Sequence, residues 1–190
     1  MIWEELRDIW LGLPRAAGAS APMLDNLSAA SITPIVTHCW RLRRAAWDRY
    51  IVEHVGEYAT TTWGEEPTGR NIFDFASESE KMPLIKAYET ILTKPCGLVR
   101  TREMPKGIGG FYRLTTGSFP FADREGEVSI IVGSFEMEQV TPEARFSGSF
   151  CFDSAQVTED RFIDLGAGVP RTDCSRMNAG VEYWKDVKEG

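Results

Sequence analysis

Residues 47–76 read WDRYIVEHVGEYATTTWGEEPTGRNIFDFA and carry the clearest structural pattern in the chain. The part at 48–55 is rich in β-branched and aromatic residues, which favours a strand. A turn containing Pro and Gly follows at 65–69, and a short apolar group comes after it at 72–75. A strand that leads into short helical turns lying over a sheet is typical of a domain with a small internal cavity.

The composition is that of one folded globular unit. The chain has 190 residues, of which 43% are hydrophobic and 11% aromatic, and this is enough for one full core. The formal net charge of -7 argues against binding along a nucleic-acid backbone, because such binding needs a basic face. The first residues lack the pattern of a secretory signal, and no run approaches the roughly 20 apolar residues that span a bilayer. We therefore expect a cytoplasmic protein with no nucleic-acid or membrane partner.

The cysteines and histidines do not form a metal-binding pattern. Cys39, Cys96, Cys151 and Cys174 are widely spaced and contain no CxxC pair, which favours buried, reduced thiols. With only 2 histidines and no HExxH motif, the sequence predicts no metal site. No nucleophile motif and no carboxylate pair stands out, so the sequence assigns no catalytic residue.

Hydrophobic periodicity predicts the order of helices and strands. An amphipathic helix at 1–13, followed by a linker that ends at residue 23, precedes the main domain. Strands are predicted at 33–42, 46–55, 97–104, 111–121 and 127–138, with a helix at about 79–94. The order is that of an α+β domain at 24–140, built on a five-stranded antiparallel sheet with helices on one face.

Residues 141–190 are predicted to form a C-terminal extension. The alternating Phe residues of 146–152 favour an added strand, and 161–170 suit a short strand with a turn. Asp164-Leu165-Gly166-Ala167-Gly168 contains GxG without the rest of a dinucleotide fingerprint, which favours a turn. Residues 171–190 are mostly polar.

The predicted order of two strands, helices and three strands resembles that of a PAS domain. The chain is also similar to a family of short stand-alone PAS-like proteins that is common in alphaproteobacteria. The matching pieces lie in order along about residues 3–140, at 9–11, 22–25, 47–56, 68–71 and 131–135. The resemblance implies a sensory or protein-interaction role, usually as a homodimer, and it carries over no particular ligand.

Gly69-Arg70-Asn71 is also how the photoactive flavin-binding PAS domains begin their reactive motif. In those domains a cysteine follows the Asn and bonds to flavin, whereas Ile72 stands here. The resemblance therefore does not support thiol-adduct flavin chemistry. Some PAS sensors bind haem through one His, and His54 is the candidate, but an ordinary strand histidine is the other interpretation. Neither haem nor flavin is supported, and the cofactor stays unknown.

Aromatic and basic residues from both halves of the domain are the candidates for a ligand site. They would line a cavity in which a few polar groups orient the ligand, and they are His54, Tyr58, Trp63, Arg70, Tyr88, Tyr112 and Arg113. Arg70 and Arg113 could each bind a carboxylate or phosphate through a bidentate fork, or pair with surface acids. The alternative is a filled apolar core with no ligand.

For the strand predicted at 111–121, two different faces are candidates for burial. In a strand only alternate residues share a face. Tyr112 and Leu114 share one parity, and Phe119 and Phe121 share the other, so the sequence does not decide which set lies inside.

The N-terminal helix carries an apolar stripe that must be buried. The stripe is formed by Ile2, Leu6, Ile9, Trp10 and Leu13. It can pack on the chain's own sheet or on the same helix of a second copy, which would give an isologous dimer. An N-terminal helix often does the latter in PAS domains, so the resemblance implies that these five residues form an interface.

These patterns lead to one main functional hypothesis. The chain carries no kinase, cyclase or DNA-binding element, so we expect a non-enzymatic sensory module that binds a small molecule or a signalling protein and relays its state through a homodimer interface. The alternatives are a ligand-free protein-interaction scaffold and a small α+β enzyme with an aromatic-lined pocket.

Overall fold

A six-stranded antiparallel sheet forms the centre of the computed structural model, which describes residues 1–58, 60, 66–106, 110–139 and 156–170. The strands are β1 (Cys39–Ala46), β2 (Arg49–Val55), β3 (Gly97–Lys106), β4 (Gly110–Ala122), β5 (Val128–Gln139) and β6 (Gln156–Ile163). Their order across the sheet is β2-β1-β5-β4-β3-β6. Pairing of β1 with β5 joins the β1-β2 hairpin to the later strands.

Helices lie on both faces of this sheet. They are α1 (Ile2–Gly12), α2 (Ala29–Ile32) and α3 (Glu78–Thr93), with 3₁₀ turns at Leu24–Asn26, Val36–His38 and Ile72–Phe75. α3 and the 3₁₀ turn at Ile72–Phe75 cover one face, and α1 covers the other. The predicted α+β class with an antiparallel sheet is confirmed, but the described residues form six strands and not five, and helices lie on both faces. β6 pairs with β3 as a sixth strand, and α1 buries the second face.

The two parities of β4 pack into two different apolar clusters. Tyr112 and Leu114 lie in the cluster beneath α3, whereas Phe119 and Phe121 lie in the cluster beneath α1. Both sets are buried because the sheet is covered on both sides. In β4 both sets of alternate residues include large apolar side chains, and this is the pattern of a central strand whose two faces are both covered.

α1 packs on the chain's own sheet through three buried side chains, Trp3, Leu6 and Trp10. The indole Nε1 of Trp10 donates a hydrogen bond to the carbonyl oxygen of Pro120 at 2.6 Å. The helix approaches β4 closely, because a Cβ built on Gly117 would lie 2.4 Å from the Cβ of Trp3. Of the two ways to bury the apolar stripe, the chain adopts packing on its own sheet.

Most predicted element boundaries are confirmed to within one or two residues. This holds for the two long helices and for the strands predicted at 97–104, 111–121 and 127–138. The strands predicted at 33–42 and 46–55 are the exceptions, because β1 starts only at Cys39 and β2 only at Arg49. The residues that precede Cys39 form a 3₁₀ turn in which the Ile35 carbonyl accepts hydrogen bonds from the His38 N–H at 2.9 Å and the Cys39 thiol at 3.3 Å.

The chain after residue 140 is described only at 156–170. The strand predicted at 146–152 lies outside the described residues, as does the polar segment at 171–190. The turn predicted after Asp164 is confirmed, since its Oδ1 accepts hydrogen bonds from the N–H groups of Gly166 and Gly168 at 2.8 and 3.0 Å. Both glycines have positive φ angles, 105° and 78°, which other residues rarely adopt.

Candidate functional site

A cavity of about 60 Å³ lies between the sheet and α3. Its walls are mostly apolar and include Trp40, Phe75, Leu84, Leu98, Leu114 and Phe135. Its polar lining consists of Arg100 and Arg102 from β3, Thr116 and Ser118 from β4, and Tyr88 from α3. An apolar cavity with a few convergent polar groups is the usual form of a small-molecule site.

Strand register places the polar residues of the cavity side by side. Arg100 is the Cα partner of Thr116 on β4 and of Asp160 on β6, and Leu98 is the partner of Ser118. Partnered residues project from the same face of a sheet, so all five side chains point toward α3. The polar lining therefore depends on the β3–β4 hairpin and on the pairing of β3 with β6, which is distant in sequence.

Arg100 and Asp160 form a bidentate ion pair inside the protein. The Arg100 Nε and Nη2 donate to the two Asp160 carboxylate oxygens at 2.5 and 2.7 Å. Only 3% of the Arg100 side chain and 1% of the Asp160 side chain are exposed. Burial alone would lower the pKa of Arg100, but the charge and hydrogen bonds of Asp160 outweigh burial and raise it. The pair fixes the Arg100 side chain and anchors β6 to the sheet.

Arg102 is buried as well, and its ion pair with Glu80 is longer than the pair between Arg100 and Asp160. Its Nε donates to Glu80 Oε1 at 3.3 Å, and Glu80 lies in the first turn of α3. The other carboxylate oxygen of Glu80 is buried and has no hydrogen-bond partner among the described residues. Burial, and then the positive charge of Arg100, lower the pKa of Arg102.

Trp40 forms one wall of the cavity because its strand partner is a glycine. Trp40 and Gly133 are Cα partners, and a Cβ built on Gly133 would lie 2.0 Å from the indole Cζ2 of Trp40. The indole therefore lies directly over the backbone of β5. Tyr88 packs nearby with its ring centroid 6.4 Å from that of Trp40. Burial raises the pKa of the Tyr88 phenol, so the hydroxyl stays protonated at neutral pH.

The three tyrosines predicted as ligand residues lie beneath α3, but only Tyr88 lines the cavity. Tyr112 is buried in the surrounding apolar cluster. Tyr58 is partly buried against the same cluster, with its ring between those of His38 and Phe135 at centroid distances of 4.5 and 5.5 Å. Tyr58 and Tyr112 therefore support the cavity from outside.

The other residues predicted for the ligand site lie away from the cavity. His54 is exposed on β2. The exposed Arg70 places its guanidinium 4.2 Å from the ring centroid of Phe75. Arg113 lies on the α1 side of the sheet, in a groove that it shares with Trp3. Trp63 lies outside the described residues.

Two of the residues predicted for a dimer interface are buried against the chain's own sheet. Leu6 and Trp10 have 0% exposure because they pack against β4 and β5. Ile2, Ile9 and Leu13 are partly buried against the same cluster. In this arrangement Leu6 and Trp10 offer no surface to a second copy.

Sequence reasoning missed the charged residues of the site. Arg100, Arg102 and Asp160 lie on strands whose covered face is not evident from local pattern. The alternation of Arg100 and Arg102 with Val99 and Thr101 is the only signal, and it equally fits a solvent-facing strand.

The described residues hold neither a metal-binding cluster nor a membrane-spanning helix. Among the described residues, no group of three or more His, Cys, Asp or Glu side chains is arranged to hold a metal ion. None of the helices in the described ranges has the length and apolar character needed to cross a membrane. The sequence matches no family model and no curated protein.

Proposed function

We propose that the chain is a cytoplasmic, non-enzymatic sensory module with a PAS-like domain, which binds a small molecule beneath α3 and relays its state through a homodimer interface. The cavity between α3 and the sheet is the observation that carries this proposal. The element order that resembles a PAS domain supports it, with two strands, helical segments and three strands in sequence.

The position of the cavity suits a sensor because a ligand there would touch both the sheet and its helical cover. Glu80 and Tyr88 of α3 reach the same polar region as Arg102 on β3. A ligand that changes these contacts would favour one placement of α3 over another. A ligand shifts such an equilibrium only when it binds the two conformations with different affinities.

Native mass spectrometry of the purified full chain, compared with its denatured mass, tests the proposal. We expect a native mass of two chains plus a small component that is absent after denaturation. A bare monomer that gains no mass and no thermal stability from a panel of small metabolites would contradict both the sensor and the dimer.

A substitution that fills the cavity gives a sharper version of this test. Ala76 lines the cavity, so Ala76→Leu should remove the bound component while the protein stays folded. Ala29 is exposed at the start of α2, and Ala29→Leu is the matched control that should keep the bound component. Loss of the component in both variants would mean that it binds elsewhere.

A ligand-free interaction scaffold is the second candidate, and the size of the cavity favours it. A volume of about 60 Å³ is well below the roughly 300–1,000 Å³ of typical drug-sized ligand pockets. A scaffold would show a bare native mass, and Ala76→Leu would leave its binding to a protein partner unchanged. A sensor of this structure must therefore bind a ligand of few atoms.

A further inference from the structure

We propose that the ligand of this cavity is a short-chain monocarboxylate of about two to four carbon atoms, held by Arg100 and Arg102 with its tail against the apolar wall. This inference rests on the proposed function, because it assumes that a small molecule occupies the cavity.

The charge of the cavity lining selects an anion. Its charged lining residues, among those described, are Arg100 and Arg102, and its other polar groups are the hydroxyls of Thr116, Ser118 and Tyr88. The partner carboxylates lie outside the lining. A ligand facing this surface meets the N–H donors of two guanidinium groups and several hydroxyl groups, so it should carry oxygen acceptors and a negative charge.

Arg100 is held in place with donors to spare. Its bidentate pair with Asp160 uses Nε and one N–H of Nη2, whereas a guanidinium carries further N–H donors on Nη1 and Nη2. Among the described residues, Asp160 alone accepts hydrogen bonds from this side chain. Since Asp160 fixes the position of the guanidinium, a carboxylate can bind to it with little loss of side-chain freedom.

Arg102 can exchange its contact with Glu80 for the ligand. Its Nε donates a hydrogen bond to Glu80 Oε1 at 3.3 Å, and the second Glu80 oxygen is buried without a hydrogen bond. A ligand carboxylate would therefore compete with Glu80 for the Nε donor of Arg102. Because Glu80 lies in the first turn of α3, its replacement by ligand would release that turn from β3.

The volume of the cavity limits the size of the ligand. A buried water needs about 10–15 Å³ on this measure, so about 60 Å³ holds roughly four to six non-hydrogen atoms. Acetate, propionate and butyrate fall within this range, whereas hexanoate exceeds it. Trp40, Leu84 and Leu98 give the tail an apolar surface, which inorganic phosphate would not use.

Calorimetric titration of the full chain at constant ionic strength tests the ligand class. The compounds are acetate, propionate, butyrate, hexanoate, the neutral isostere butyramide, and inorganic phosphate. We expect propionate or butyrate to bind tightest, and butyramide to bind at least about 10-fold more weakly because it lacks the charge that the arginines recognise.

Three variants assign the binding to the arginine pair. Arg102→Gln should weaken butyrate binding by about 10- to 100-fold. Arg113→Gln, which alters an arginine on the opposite face of the sheet, should leave it unchanged. Glu80→Gln should tighten binding several-fold, because it removes the competing carboxylate, and misfolding cannot produce such a gain.

Each other outcome has a definite meaning. Butyramide binding as tightly as butyrate would overturn the carboxylate class and leave the small-molecule sensor standing. Tightest binding by phosphate or hexanoate would overturn the short apolar tail. Weaker binding to Glu80→Gln would overturn the competition at Arg102. If no compound binds and the native mass is bare, the inference and the proposed function fail together.

Discussion

Replacing Asp160 with Asn should destabilise the protein strongly, because it leaves the positive charge of Arg100 without a partner in the protein interior. Asn has nearly the shape of Asp, so packing is preserved while the negative charge partnering Arg100 is lost. Only 3% of the Arg100 side chain is exposed, so water cannot replace the missing partner. Breaking a buried ion pair on one side costs about 3–5 kcal/mol.

The loss should be visible as a lower melting temperature. For a chain of this size, 1 kcal/mol corresponds to about 2–4 °C, so Asp160→Asn should lower Tm by roughly 6–20 °C. Urea unfolding followed by tryptophan fluorescence gives the free energy of unfolding directly. The buried Trp10 and Trp40 lie on opposite faces of the sheet, so loss of either face changes the signal.

A double substitution separates the cost of an unpaired buried charge from the cost of lost packing. Arg100→Met combined with Asp160→Leu removes both charges, and such replacements are often neutral or stabilising. We expect the double variant to unfold within about 2 kcal/mol of the original protein. Glu159→Gln is the surface control, because Glu159 is 53% exposed, and it should change stability by less than about 0.5 kcal/mol.

Two results would refute this reasoning. A cost below about 1 kcal/mol for Asp160→Asn would be that of a surface pair, and would mean that β6 does not bury Arg100. An equal cost for Asp160→Asn and for the double variant would assign the loss to packing and not to charge.

Three further predictions test other parts of the structure. Gly133→Ala should cost about 1–3 kcal/mol in urea unfolding, because its Cβ would lie 2.0 Å from the indole of Trp40. Trp10→Phe should cost about 2–3 kcal/mol in the same assay, because it leaves a buried backbone carbonyl of β4 without its hydrogen bond. Burial raises the pKa of the Cys39 thiol to about 12, so iodoacetamide at pH 8 should label the Cys39 peptide only after denaturation. Since this pKa is higher than in the unfolded chain, the associated stability is complete below about pH 8.5 and is lost as the pH rises toward 12, a loss that Cys39→Ala should reduce.

Each of these predictions has a control in the chain. Gly12 has no atom within 4 Å of a built Cβ, so Gly12→Ala should not destabilise. Trp47 is 51% exposed, and Trp47→Phe should change the free energy of unfolding by less than about 0.5 kcal/mol. Equal losses at Trp10 and Trp47 would contradict the packing of α1 on the sheet, and labelling of folded Cys39 at pH 8 would contradict its burial.

Local pattern was sufficient to find most elements of this fold. Residues 97–104 and 127–138 alternate with the period of a strand, and 79–94 have the composition and ending of a helix. These signals are local, because propensity and turn chemistry act over a few residues. Before Cys39, the β-branched residues predicted a strand, and this prediction was wrong. Its residues form a 3₁₀ turn held by the carbonyl of Ile35.

Local sequence pattern was enough to predict the α+β class, the amphipathic N-terminal helix and the alternation along the later strands. Tertiary structure alone decided that both faces of the sheet are covered, that α1 packs on its own sheet, and that Arg100 is buried rather than exposed. Arg100 meets a partner 60 residues away, on a strand that joins the sheet through register. The same alternation of arginines fits either a solvent-exposed or a buried face of a strand. Only the elements that pack over that face decide between the two, because burial depends on contacts distant in sequence and not on local sequence.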